Sequence, residues 1–234
     1  MTIQEILKQS VKGDALLWVQ GLECNIERGI GYPNVLLVNE LISQLSEEQV
    51  EILKEKFKSV DDISQMHDKL VEIMVARKYM KYEPEFLAES DDLSPDIYLH
   101  KKEEYIEVKR KNYSKVYKKL EEKTSNYPHS SSVEIIFEED AKEKLAKPLL
   151  SYTKDLIDKA KCQLSGKKGL VFLLYQIDFI MPYAIKSGDS IKSMSVFLNE
   201  FLIKGVQEYS EQIKVRIVCK PCFLLHDNIG FMKK

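Results

Sequence analysis

No stretch of this 234-residue chain is long and apolar enough to cross a bilayer. The longest candidate, GLVFLLYQIDFIMPYA, is interrupted by Gln176 and Asp178 and falls short of the roughly 20 residues a spanning helix needs. Cysteine is scarce: 4 residues in a chain of this length exclude a disulfide framework, and Cys24 and Cys162 read as small apolar residues. Cys219 and Cys222 form the lone CxxC, in KVRIVCKPCFLLHD, and without a second pair it is a weak zinc signal. His67, His100, His129 and His226 are scattered without HxxxH spacing, so each reads as a surface or loop histidine rather than a ligand. Charge of one sign is lacking too: 35 bases against 37 acids give a net charge of -2, which excludes a uniformly basic nucleic-acid binder. The opening MTIQEILKQS has neither the basic start nor the apolar core of a secretion signal, and the expected location is the cytoplasm.

What is present is ordinary globular composition, 44% hydrophobic and 31% charged. Residues 1–60 show apolar residues at three- and four-residue spacing and predict a helical N-terminal extension or subdomain, with Ser46 as a cap and Trp18 in its core. The main domain is expected over 61–234. It opens with a longer helix in SVDDISQMHDKLVEIMVARKYMKY, capped by Asp61 or Asp62, on which Leu70, Ile73, Met74 and Arg77 mark one side. Glu72 shares another side with Val75, Ala76 and Tyr79, so it lies at a surface boundary or points into a partly buried polar site. Strand patterns follow in YEPEFLAE, PDIYLH, EYIEVKR and SSVEIIFEED. A helix is expected over 141–164, with Pro148 in its first turns or marking its start. GLVFLLYQI is apolar on both faces, as a central strand is, and a helix near 189–212 and the strand KVRIVCKPCFLL close the chain. This order predicts an α/β protein with a mixed central sheet flanked by helices.

The chemistry concentrates in SPDIYLHKKEEYIEVKRKN, residues 94–112. As a bare pattern, an acid followed two places later by lysine decides nothing, because Glu121-x-Lys123 and Asp140-x-Lys142 share it. Strand geometry discriminates. Alternation puts Asp96 with Tyr98, and Glu107 with Lys109, on one face of their strands. A hairpin with a two-residue loop sets Asp96 opposite Glu107, with Cβ atoms about 5 Å apart. A four-residue loop sets Asp96 opposite Lys109, with Glu107 on the diagonal. Both registers keep the three side chains on one face. Facing carboxylates repel unless something positive lies between them, and oxygen ligands so spaced suit Mg²⁺. The plainer reading is a charged cross-strand cluster in which Lys109 neutralises the pair. Glu83 and Glu85 alternate onto one face of their own strand and could take the place of Glu72. VKRKNYSKVYKKL, 108–120, carries six bases and no acid, with tyrosines between them. It reads as a phosphate-contacting patch or as a solvated charged segment.

Asp96, Glu107 and Lys109 on neighbouring strands, after a glutamate-bearing helix, resemble the PD-(D/E)XK nuclease superfamily. The resemblance covers about residues 64–175 and rests on Pro95-Asp96, Glu107-Val108-Lys109 and Glu72. It implies a restriction-endonuclease-like αβββαβ core and a divalent-metal-dependent phosphodiesterase, an endodeoxyribonuclease, with DNA as the usual substrate and RNA left open. By the same resemblance, Asp96 and Glu107 would ligate Mg²⁺ with the backbone carbonyl of Val108, and Mn²⁺ would substitute. Lys109 would orient or help deprotonate the attacking water, and Glu72 would complete the site through water or a second metal. The long insertion before the second helix leaves Lys159 and Gln163 as alternative residues from that helix. Lys109, Arg110, Lys111, Tyr113, Lys115, Lys118 and Lys119 are the expected nucleic-acid contacts, and a homodimer would supply two sites for two strands. The alternative is a catalytically inactive nucleic-acid-binding or scaffold protein of the same fold. A helical interaction protein with an incidental hairpin is a third reading, and the apolar strand at 169–177 argues against it.

Overall fold

The computed structural model describes residues 1–29, 33–88, 94–112, 141–176, 191–209 and 213–220. These form seven α-helices and five strands, in the order α1 (Ile3–Ser10), α2 (Gly13–Glu27), α3 (Pro33–Ile42), α4 (Glu47–Lys58), α5 (Ile63–Lys78), β1 (Pro84–Phe86), β2 (Ile97–Leu99), β3 (Glu104–Asn112), α6 (Ala141–Leu164), β4 (Gly169–Gln176), α7 (Ile191–Gly205) and β5 (Lys214–Lys220). The sheet order is β1-β2-β3-β4-β5, with β1/β2 and β2/β3 antiparallel and β4/β5 parallel, so the fold is α/β with a mixed sheet. Among the described residues no helix is long and apolar enough to cross a membrane. The expected strand SSVEIIFEED lies outside the described residues, as do Cys222, His129 and His226.

The chain divides into two compact units, one built from described parts of Met1–Val108 with Gln163–Gly169, the other from described parts of Lys109–Cys162 and Leu170–Cys222. In the first unit, local sequence sets the helix starts. Thr2 and Glu5 form a capping box on α1, Ser46 caps α4 through Gln49 N–H, and Asp62 caps α5 by accepting from Gln65 N–H at 2.9 Å. Asp61, the other expected cap, instead receives Ala15 N–H on its carbonyl. That carbonyl lies 2.8 Å from where a Cβ on Gly13 would stand. Gly13 has φ +54°, so glycine both takes the left-handed turn and admits this contact.

The two sides assigned to α5 merge into one buried surface over Leu70–Ala76, while Arg77 and Tyr79 are half-buried. Every residue from Leu70 to Ala76 is buried, Glu72 included. The reason is tertiary: α2, α3 and α4 pack on α5, which also packs on β1. Residues 1–60, expected as an extension, therefore enclose the helix that carries Glu72. The outer edge of β1 is occupied by a side chain, because the Gln49 amide donates to Phe86 O at 3.2 Å and its oxygen accepts from Phe86 N at 2.6 Å. A backbone edge that would recruit a further strand is thereby satisfied.

In the second unit, Ala146, Leu149, Thr153, Leu156, Ile157 and Ala160 form the buried stripe of α6, which runs through Pro148 rather than starting at it. The Thr153 hydroxyl bonds Leu149 O at 2.6 Å and Tyr175 OH at 2.8 Å, which accounts for a tyrosine fully buried on β4. Cys219 is buried on β5 and burial pushes its thiol up to about 12, the behaviour of a packed apolar residue rather than a thiolate ligand. β3 comes close to the start of β4 at Gly169, where an added Cβ would meet Tyr105 O at 2.9 Å and Leu164 Cδ2 at 2.8 Å. Gly169→Ala is expected to destabilise the protein by ~1–3 kcal/mol through overpacking, read as a lower urea midpoint at unchanged slope.

Candidate functional site

The site begins with the backbone of Asp96, which is tied on both sides. Its N–H donates to Ile106 O at 3.1 Å and its carbonyl accepts from Leu87 N–H at 3.0 Å. Ile97 pairs with Ile106 and Tyr98 with Tyr105; Asp96 lies at a bend just before β2, where its N–H also reaches Ile106 O instead of continuing that ladder. The register is that of a two-residue loop. The connection itself takes four residues, because His100–Lys102 form a 3-10 turn and Glu103 sits at φ 51°. Ile97, Leu99 and Ile106 are buried on one face of the hairpin, and Tyr98, Tyr105, Glu107 and Lys109 share the other by strand alternation; Asp96 stands at the bend before β2.

Two helices complete the cluster. Glu72, on α5, is 5% exposed, and Lys56, on α4, lies beside it. Lys56 Nζ donates to Glu72 Oε2 at 3.0 Å and stands 3.9 Å from Asp96 Oδ1. Lys69 Nζ holds the other Glu72 oxygen at 3.2 Å, one helical turn away. Asp96 Oδ2 accepts from Val108 N–H at 2.7 Å, which fixes the carboxylate against β3. Glu107 is 0% exposed, while the Asp96 side chain keeps 14% of its surface in solvent and is the outermost of the three acids.

Burial holds the Asp96 carboxyl well above the usual carboxylate range, and the negative charges of Glu72 and then Glu107 raise it further. Lys56 and the Val108 N–H oppose the rise without cancelling it. The cluster thus has a surplus of negative charge focused on Asp96, the chemistry of a cation site. Among the described residues, no three His, Cys, Asp or Glu side chains converge closely enough to hold a metal ion by themselves. An Asp96 and Glu107 pair still fits Mg²⁺, which takes one or two carboxylates and keeps several waters.

The remaining expected residues fall as follows. Glu85 lies opposite Tyr98 on the same sheet face but one pair further along, and it bonds His100 at 2.7 Å; Glu83 pairs with Lys101 at 2.7 Å. Neither takes the place of Glu72. Lys109 is half-buried on the Glu107 face. Arg110 is buried on the opposite face, which removes it from any continuous basic surface with Lys109. Lys111 is the penultimate residue of β3, and Tyr113, Lys115, Lys118 and Lys119 lie outside the described residues. Lys159 is exposed on α6 and Gln163 is half-buried near its end. Trp18 packs edge-on to His67 at 5.7 Å.

Lys56 and Lys69 are the members that sequence reasoning missed. Lys69 carried a usable signal, three residues before Glu72 on one helix. Lys56 sits between Leu53 and Phe57, two residues of the buried stripe of α4, but in EEQVEILKEKFK it looks like one more solvated lysine. Comparison with family models, with curated proteins and with solved structures finds no match for the chain.

Proposed function

We propose that this protein is a divalent-metal-dependent nuclease of restriction-endonuclease-like fold that hydrolyses phosphodiester bonds, with DNA as the first substrate to test. One observation carries the reading: Asp96 lies close enough to Glu72 and Glu107 that the charges of both raise its carboxyl, with the Lys56 ammonium between Glu72 and Asp96. The order α5, β1, β2, β3, α6, β4 also agrees with the αβββαβ core of the PD-(D/E)XK superfamily. In this reading Asp96 and Glu107 would hold Mg²⁺ or Mn²⁺ with the Val108 carbonyl, and Glu72 would act through water. Such an ion, when bound, acidifies a water and offsets charge on the phosphoryl and leaving oxygens. The Val108 N–H fixes one Asp96 oxygen, leaving Oδ1 as the oxygen turned towards cationic partners. Lys109, two residues beyond Glu107 on the same face, would orient the attacking water and place positive charge where the pentacovalent phosphate gathers negative charge. A homodimer would bring two such sites to the two strands of a duplex.

A second reading, an inactive nucleic-acid-binding or scaffold protein of the same fold, is favoured by the depth of the cluster. Glu107 and Glu72 are buried, and Lys56 already supplies a positive charge there. Incubating the purified chain with plasmid, linear and single-stranded DNA and with RNA, with and without Mg²⁺ or Mn²⁺, separates the two. Metal-dependent cleavage that falls by at least ~100-fold in both Glu107→Gln and Lys109→Ala is the expected result. Cleavage unchanged in both variants would remove the site assignment. No cleavage and no ion binding by calorimetry would select the second reading.

A further inference from the structure

We propose that Lys56 is a built-in counter-ion of the carboxylate site: its ammonium holds Glu72 and Asp96 in place in the metal-free protein and competes with a divalent cation for the same oxygens. The proposal rests on the nuclease reading in taking Asp96 as a ligand for that cation. The other lysines near the end of α4 show what an ordinary position looks like. Lys54 is half-buried and pairs with Glu51 at 2.6 Å, and Lys58 is exposed and pairs with Glu55 at 3.0 Å, each partner three residues away on the same helix. Lys56 instead turns inward, with 3% of its side chain exposed, and bonds Glu72 from α5 at 3.0 Å. Burying an ammonium costs several kcal/mol, by rough accounting, unless matched charge surrounds it.

The distances say how the match is divided. Glu72 is engaged through both oxygens, one on Lys56 and one on Lys69. Asp96 has one oxygen committed to the Val108 N–H, and its other oxygen is 3.9 Å from Lys56, inside Coulombic reach but beyond a hydrogen bond. Asp96 Oδ1 is therefore attracted by Lys56 without being closed upon. It is the oxygen an incoming cation would address. Loss of Lys56 removes the rival charge and leaves Glu72 with Lys69 alone and Asp96 without its cationic neighbour, so ion binding should strengthen while the metal-free protein weakens. A lysine with a purely structural role would give only the second effect.

Mn²⁺ binding by calorimetry and thermal unfolding with and without Mn²⁺ test this on the full chain, comparing wild type, Lys56→Met, Glu72→Gln and the double variant Lys56→Met/Glu72→Gln. Lys56→Met is expected to unfold at lower temperature without the ion, to bind Mn²⁺ at least ~10-fold more tightly, and to regain more of its midpoint on adding Mn²⁺ than wild type does. The double variant drops one charge of each sign and keeps the comparison readable if Lys56→Met does not fold. It is expected to bind Mn²⁺ more tightly than Glu72→Gln. Equal or weaker binding in both variants than in their Lys56-containing parents overturns the counter-ion role and leaves the nuclease reading standing. Absence of Mn²⁺ binding in wild type and in every variant overturns the metal-dependent reading, and this proposal with it.

Discussion

Asp96→Asn is expected to abolish divalent-dependent cleavage and, at neutral pH, to raise the stability of the protein. The two effects share one cause. The Asp96 carboxyl is held above its ordinary value of 3.8 by burial and by the charges of Glu72 and Glu107. The folded protein therefore keeps the Asp96 proton at pH values where the unfolded chain has released it. Its contribution to stability is full in acid, below the unfolded value, and is lost as pH rises from there through the raised folded value. At neutral pH an ionised Asp96 is a net cost to the fold. Asparagine has the same shape, can still accept from Val108 N–H, and cannot ionise, so it removes both the cost and its pH dependence. We expect a gain of ~1 kcal/mol at pH 7, about 2–4 °C in the unfolding midpoint, and an activity loss of at least ~1,000-fold. Urea unfolding between about pH 4.5 and 8, beside initial cleavage rates, reads both. An active Asp96→Asn would remove Asp96 from the site. A variant whose stability follows the wild-type pH slope would remove the electrostatic argument.

The hairpin was the most legible part of the chain, and the reason is geometric. Side chains alternate along a strand, so the shared face of Glu107 and Lys109 follows from their numbers alone, whereas Asp96 sits at the bend before β2, where alternation stops. The register did not follow, because a slip of two residues preserves every face and leaves the hydrophobic pattern unchanged. It is set by the turn, where Glu103 N–H closes on His100 O and His100 N–H reaches Glu83 O, contacts that have no signature in composition. Glu72 could be assigned to a face of its helix, but whether that face meets the hairpin depends on how α5 packs between the other helices and β1. The same packing buries Leu70–Ala76 of α5 on all sides, where periodicity had divided it into two. Lys56 was the least legible. In a helix of alternating acids and lysines nothing local distinguishes a buried ammonium from solvated ones, and only the arrival of Glu72 and Asp96 from other elements does so. Glu83 and Glu85 looked like equal candidates by parity, but Glu83 lies before β1 at φ 55° and Glu85 pairs opposite Tyr98, and they bond Lys101 and His100.

Glu72→Ala should do the opposite of Asp96→Asn. It removes the acid that Lys56 bonds and leaves that ammonium buried, with Asp96 3.9 Å away. Breaking a buried ion pair from one side costs ~3–5 kcal/mol, because the surviving charge loses its partner without regaining water. For a chain of this size that is a fall of roughly 6–20 °C in the midpoint. Glu72→Gln keeps the shape and one acceptor for Lys56, and the expected loss is smaller, ~1–3 kcal/mol. Both losses should change little between low and high salt, since Lys56 and Glu72 are both buried and screening acts on exposed charges. Metal-free thermal and urea unfolding measure them, independent of any activity. A Glu72→Ala protein within about 1 kcal/mol of wild type would mean that Lys56 and Glu72 are not a desolvated pair. The order that matters is Asp96→Asn above wild type above Glu72→Ala at pH 7. Removing a carboxylate as such would move both variants the same way, so opposite signs from two acids that share one lysine can arise only if Asp96 carries the surplus charge and Glu72 neutralises Lys56.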